Sequence, residues 1–395
     1  MSAQQTSGRK NGVQAILKKE MTNAHYIHCR NHLLNLAAAN VANDFKPLRA
    51  LFSSFNSLWK FFHNSPKKRG DLDEVNSILD DPVLQLVRAG DTRWTSNYRA
   101  VRAIRVTLRA IVYTLQEIHA SSGDLSSEAG GLLLTYQDKQ SLLLIFAVEQ
   151  ILMPLNTLTL TLQSPKLSLS ELPTKTEMAT DRLHEIEADM NTYLAPFEDF
   201  LSQAGFPTLG TSNVNYTDVH TQIIVKYIKS LCKNMDKRFG DSVGQINVAA
   251  TIFNPASAEM SLDDQLDKIR LLAEHFKLNK NYAANEWLCF RRYMDHNKDK
   301  NCAEILRSTL VTDLSDAFPE LAKLAGIVLV SPIGTAGVER SFSTMNRLCN
   351  KLRQRLTPQH LSQLLLISQE GPEQISRREL TDIVYLWYEQ GPRRI

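Results

Sequence analysis

Four stretches of this 395-residue chain hold residue types whose spacing could do chemistry. The first is His28-Cys29-Arg30-Asn31-His32, in which Cys29 and His32 have the CxxH spacing of metal ligands. No second Cys/His pair stands nearby to complete a tetrahedral site, although His25 is close. The run therefore reads either as half a metal site or as a thiol and an imidazole in a strand-to-helix turn. The second is Asp91-Thr92-Arg93-Trp94. An exposed Arg-Trp pair can grip a phosphate and stack on an unpaired base; the same pair can equally cover a helix start, with the arginine paired locally. The third runs from Ser331 to Ser343, where a small-residue turn opens a helix with Glu339-Arg340 in its first turn. Glu339, Ser343, Asn346 and Asn350 share a polar stripe on that helix. A carboxylate there becomes a metal ligand only if other carboxylates converge on it. The fourth is basic clustering: Lys67-Lys68-Arg69 after Pro66, an Arg99, Arg102, Arg105, Arg109 stripe, and Arg347, Lys351, Arg353 and Arg355. These suit a DNA backbone or a solvated face, and Pro66–Arg69 hints at nuclear import.

The elements that must position these groups read as helices. Hydrophobic content is 43% and charged content 22%, as in an ordinary globular protein with two or three core-forming units. A net charge of +3 does not by itself announce a nucleic-acid binder, so any basic surface must come from local clustering. Five scattered cysteines with no CxxC suit a reduced, intracellular protein. The polar, basic first ten residues do not read as a secretory signal. The apolar run Leu142–Val148 is too short to span a bilayer and reads as buried helix, so no membrane partner is expected.

Helical periodicity predicts long helices at about 31–63, 95–118, 132–163, 174–203, 217–238 and 262–295, with turn-forming clusters between them. In the 95–118 stretch Thr95 or Ser96 is the expected cap. Ala24–Cys29 is the one candidate strand. Four short helices follow near the C-terminus. Pro319 opens the first; Thr335 is placed to cap the second, whose apolar stripe is Val338, Phe342, Met345, Cys349 and Leu352. Leu361, Leu364, Leu365 and Ile367 mark the third, and Leu380, Ile383, Val384, Leu386 and Trp387 the fourth. These four are expected to bury a core of their own and to keep apolar surface for a partner.

Taken in order, Gly12-Val13-Gln14-Ala15-Ile16-Leu17, the Cys29–His32 motif, Arg93-Trp94, a long helical stretch and Glu339-Arg340-Ser341-Phe342-Ser343 resemble the hAT superfamily of DNA transposases. The resemblance covers both ends, and the middle only by helical character. It implies a mainly α chain: a remnant RNase H-like α/β segment with the CxxH motif (1–45), a large all-helical insertion (46–310) and a C-terminal dimerisation region (311–395). By the same resemblance Glu339 would be the third metal-binding carboxylate, and Cys29, His32, Arg93 and Trp94 would contact DNA. Val338, Phe342, Leu361, Leu364 and Leu365 would serve dimerisation. The family's two catalytic aspartates lie upstream of CxxH, whereas this chain has no acidic residue before Glu20. With one carboxylate of three, a two-metal site is not expected, no cofactor or metal is expected, and Glu339 reads as a relic. The leading expectation is a nuclear, catalytically inactive, transposase-derived homodimer that keeps some DNA contact. Two others stand beside it: an active enzyme whose reading frame is truncated here, and a helical scaffold for protein partners.

Overall fold

The computed structural model describes residues 13–21, 28–80, 82, 84–90, 94–121, 125–164, 167, 171–202, 206, 214–241, 244–311, 314–331, 334–350, 356–372 and 374–389. Among them the architecture is helical throughout and holds no strand, in keeping with a mainly α chain. Most of the candidate strand, residues 24–27, lies outside the described residues; His28 and Cys29 have no regular structure.

Each long helix expected from periodicity is two helices. The apolar period runs on across each break, but a local group ends the first helix or starts the second. At 31–63, Phe45 turns extended between Arg30–Asp44 and Lys46–His63, and Pro47 sits in the new first turn, where its missing N–H costs nothing. Trp94–Val106 and Leu108–Ala120 meet at Thr107, whose hydroxyl donates back to the Ala103 carbonyl (2.7 Å), a bond that bends helices. That first helix begins at Trp94, so Thr95 and Ser96 lie inside its first turn rather than capping it. Asp138 caps Lys139–Leu162 by accepting from the Ser141 amide (2.8 Å), and Asn279 caps Lys280–Asp295. Before Asn279, Lys277 takes a left-handed φ of 58°. Asp189 separates Leu172–Ala188 from Asn191–Ser202, accepting from the Asn191 amide (2.9 Å). A π-helical turn, His220–Ile224, interrupts the 216–241 stretch.

The unit formed by residues 1–334 contains two hydrophobic cores. The larger surrounds Lys139–Leu162, a 24-residue helix buried on nearly every side by its neighbours. The Leu142–Val148 run is thus part of a helix long and apolar enough to cross a membrane by length and composition, and most of that window is buried inside the protein. Its one buried carboxylate, Glu149, pairs with Arg105, which also lies 5.6 Å from the Phe146 ring.

The smaller core joins helices between Gly244 and Val330 around Trp287. The Trp287 indole N–H donates to Gln265 (3.0 Å), whose own amide donates to the Ser257 and Met260 carbonyls. Pro319–Val330 belongs to this core through Leu321, Leu324, Ala325 and Val328. Its N-terminus is capped from a distant helix: the Glu286 carboxylate accepts from the amides of Glu320 (3.0 Å) and Leu321 (2.9 Å). Glu320 in turn accepts from the Asn279 amide (2.9 Å), so each of the two helices supplies a carboxylate to the start of the other.

The second unit spans residues 335–395 and holds Ala336–Leu348, Pro358–Glu370 and Arg377–Glu389. Local chemistry starts the last two. Thr357 accepts from the His360 amide (3.2 Å) ahead of Pro358. Ser376 and Glu379 form a reciprocal capping box (2.8 and 3.2 Å). The expectation of one core shared by four C-terminal helices is not met. The first of them packs with residues 249–306, and the other three contain no buried residue among those described. The sequence pattern shows apolar faces but not which core receives them.

Candidate functional site

Cys29 occupies the N-cap position of Arg30–Asp44 without a side-chain cap bond, and both Cys29 and His32 are half-buried. Burial, then the neighbouring His32 and Arg238 charges, push the His28 imidazole below its usual value. The Cys29 thiol lies close to Gly334, at the end of the first unit: a side-chain carbon at 334 would stand 3.8 Å from Sγ and 3.4 Å from the Leu162 carbonyl. The fold therefore brings the CxxH motif beside Gly334. No group of three His, Cys, Asp or Glu side chains converges to hold a metal among the described residues.

Arg30, between the two motif residues, was not singled out in the sequence, where a charged residue reads as exposed. It is 1% exposed. Its Nη2 donates to Asn247 (3.2 Å), while Nε and Nη1 have no partner. Burial lowers its pKa to about 10. It borders a cavity of about 360 Å³ that Glu177, Asp181 and Asp236 also line, so the nearest open space is acidic.

Of the Arg-Trp pair, Arg93 lies outside the described residues and Trp94 is the first residue of Trp94–Val106. The arginine stripe on this helix and the next is divided in use. Arg99 and Arg102 are exposed, whereas Arg105 is committed to Glu149. Burial raises the Glu149 carboxyl above its usual range, opposed by Arg105 and more weakly by Arg102. Lys68, in the basic run after Pro66, is buried in helix Pro66–Leu79. Its ammonium sits 3.5 Å from the Phe61 ring centroid and 3.8 Å from Glu128. The middle lysine of that run is a structural group.

In the second unit, Glu339 is exposed. Thr335 stands at the N-cap position but makes no side-chain cap bond; its hydroxyl donates to the Glu339 carboxylate (3.3 Å). Ala336–Leu348 and Pro358–Glu370 lie against each other. Their half-buried residues fall on one face of each: Ser341, Thr344, Met345 and Leu348 on the first, Leu361, Leu364 and Leu365 on the second. This is the seam between the two helices. Val338 and Phe342 stand outside it, 55% and 57% exposed, as do Leu366 and Ile367. On Arg377–Glu389, Leu380, Ile383, Val384, Leu386 and Trp387 are each at least half exposed. So many exposed large apolar side chains on three short helices are the mark of an association surface.

Residues 293–370 match the family model of the hAT family C-terminal dimerisation region. The match relates this chain to the hAT transposase superfamily. It runs from the end of helix Lys280–Asp295, through Pro319–Val330 in the smaller core, to the end of Pro358–Glu370.

Proposed function

We propose, from the premise that residues 293–370 are an hAT-type dimerisation region, that this is a transposase-derived protein whose working activity is self-association. The observation that carries the reading is the absence of any buried residue in the described parts of helices Ala336–Leu348, Pro358–Glu370 and Arg377–Glu389, despite their Leu, Ile, Val, Phe and Trp content. A second copy offers the same apolar faces in an isologous pairing, which closes the assembly at two. Light scattering tests the reading: a dimer at micromolar concentration agrees with it, and a monomer there sinks it.

The same reading assigns no strand-transfer chemistry to the chain. Glu339 would need two further carboxylates to hold a pair of divalent ions. Its exposed position, with Thr335 at its side, fits a solvated relic better than a ligand. Incubation with Mg²⁺ or Mn²⁺ and terminal-repeat DNA checks this; nicking that disappears in Glu339→Ala would overturn it. Residues 1–45 are read as the remnant of an RNase H-like domain, with Cys29, His32, Arg93 and Trp94 as inherited DNA contacts. The exposed Arg99 and Arg102 and the cationic surroundings of His28 support a retained DNA surface. Binding that weakens steeply with salt is its expected signature. A nuclear location follows from the ancestry, not from Lys68, which the fold has buried.

A further inference from the structure

Helices Lys46–His63 and Pro66–Leu79 form a tight hairpin through Asn64 and Ser65. Between them and the irregular residues 84–86 lies a cavity of about 260 Å³. Its walls are half apolar, with Phe62, Leu72 and Leu86 among them, and half polar or charged, so it can take a ligand that carries both a flat ring and polar groups. Trp59 and His63 stack along one side, with centroids 4.2 Å apart and planes 18° from parallel. Arg69 holds this arrangement from the second helix, with Nη2 3.3 Å from His63 Nδ1 and 3.4 Å from the His63 carbonyl oxygen. Arg88 reaches the Trp59 ring only at 6.0 Å, the outer limit of a cation–π contact. Asn76 also lines the cavity. It is 2% exposed, and its Oδ1 has no hydrogen-bond partner. A buried amide oxygen left without a donor is costly, and beside an open cavity it is available to an incoming N–H.

We propose that this cavity binds a purine nucleotide, with the base against the Trp59–His63 stack. Three features select that chemistry together. A stacked aromatic wall takes a flat heteroaromatic ring. The buried Asn76 Oδ1 accepts from the exocyclic amino group of the base. Arg69, exposed at the rim, meets the phosphate. Asp73 also lines the cavity, placed for ribose hydroxyls and against a second phosphate. The ligand chemistry is shared by a free mononucleotide and by an unpaired base in a single strand. The site lies in the first unit and does not depend on self-association.

Isothermal titration of the full chain with adenosine monophosphate, ribose 5-phosphate, single-stranded oligo-dA and the matching duplex tests the proposal. Adenosine monophosphate is expected to bind saturably, at roughly millimolar affinity or tighter, and ribose 5-phosphate at least about tenfold more weakly. Asn76→Leu replaces the orphaned amide with an apolar group of similar size. It should weaken nucleotide binding about tenfold or more while the melting temperature does not fall. Arg69→Gln, on an exposed position, should weaken adenosine monophosphate more than adenosine. A single strand that competes with the mononucleotide marks an unpaired base as the source; one that does not compete marks a free nucleotide. No saturable binding, equal binding of ribose 5-phosphate, or unchanged affinity in Asn76→Leu would each overturn the site. Should Asn76→Leu fail to fold, unchanged adenosine monophosphate affinity in Arg69→Gln overturns it instead.

Discussion

Phe342→Asp separates an association surface from a merely exposed side chain. Phe342 keeps 57% of its surface. For an aromatic residue of about 200 Å² that leaves about 115 Å² to be covered by a partner, worth about 3 kcal/mol at about 25 cal/mol/Å². An isologous interface contains the position twice, giving an upper bound of about 6 kcal/mol. Buried area converts to affinity only in part, because association also orders side chains and costs translational freedom. Half the bound, about 3 kcal/mol, corresponds to about a hundredfold weaker dimer. The folded subunit should change by less than about 1 kcal/mol, since more than half of the side chain is exposed and it lies outside the seam. Sedimentation velocity over a concentration series reads the dimer constant, and circular dichroism reads the helix content. Leu361→Asp is the contrast: it lies in the half-buried seam and should lose helix content as well as dimer. If Phe342→Asp dimerises as tightly as the wild type, the assignment of this face to the interface is wrong.

Three further outcomes follow from the packing of the first unit. Arg105→Met should destabilise the chain by about 1–3 kcal/mol at pH 7, less than for a fully buried pair because Arg105 is a third exposed. The sign with pH is fixed. Burial raises the folded pKa of Glu149 above the usual value of 4.5 and Arg105 opposes that rise, so removing Arg105 raises it further. The loss should therefore vanish below about pH 4.5 and grow as pH climbs through the raised value, read by urea unfolding at several pH values. Glu286→Ala removes the long-range cap on Pro319–Val330 and should cost about 1–2 kcal/mol, seen as a lower melting temperature; an unchanged melt would show the cap to be idle. Arg30→Met replaces a buried cation having two unpartnered N–H groups and should leave stability unchanged or raise it by about 1 kcal/mol, whereas a loss above about 2 kcal/mol would mean that the guanidinium is paired in solution.

What the sequence revealed, and what it concealed, follow from how far each interaction reaches. Helical character and the placing of the long stretches are written in apolar periodicity, which is local. The breaks at Phe45, Thr107, Asp138, Asp189 and Asn279 are local too, yet the apolar period masks them because each pair of helices points its stripe into the same core. The caps at Asp138 and Asn279 were readable in principle as Asp and Asn ahead of apolar runs. The Glu286 cap was not, because its amides lie 34 and 35 residues away. Near the C-terminus, Phe342 and Leu361 look alike in the pattern. One is exposed and the other lies in a helix–helix seam, a distinction set by how two helices meet. Arg30 was overlooked for the opposite reason: its charge predicts exposure, and the fold buries it.

In the proposed dimer, two copies meet through the helices after residue 335. Amide hydrogen exchange on the full chain, compared between dilute and concentrated protein, tests it most directly. Protection within helices Ala336–Leu348, Pro358–Glu370 and Arg377–Glu389 should rise with concentration, while the core helix Lys139–Leu162 exchanges at the same rate in both. Exchange in the C-terminal helices that stays fast and independent of concentration would contradict it.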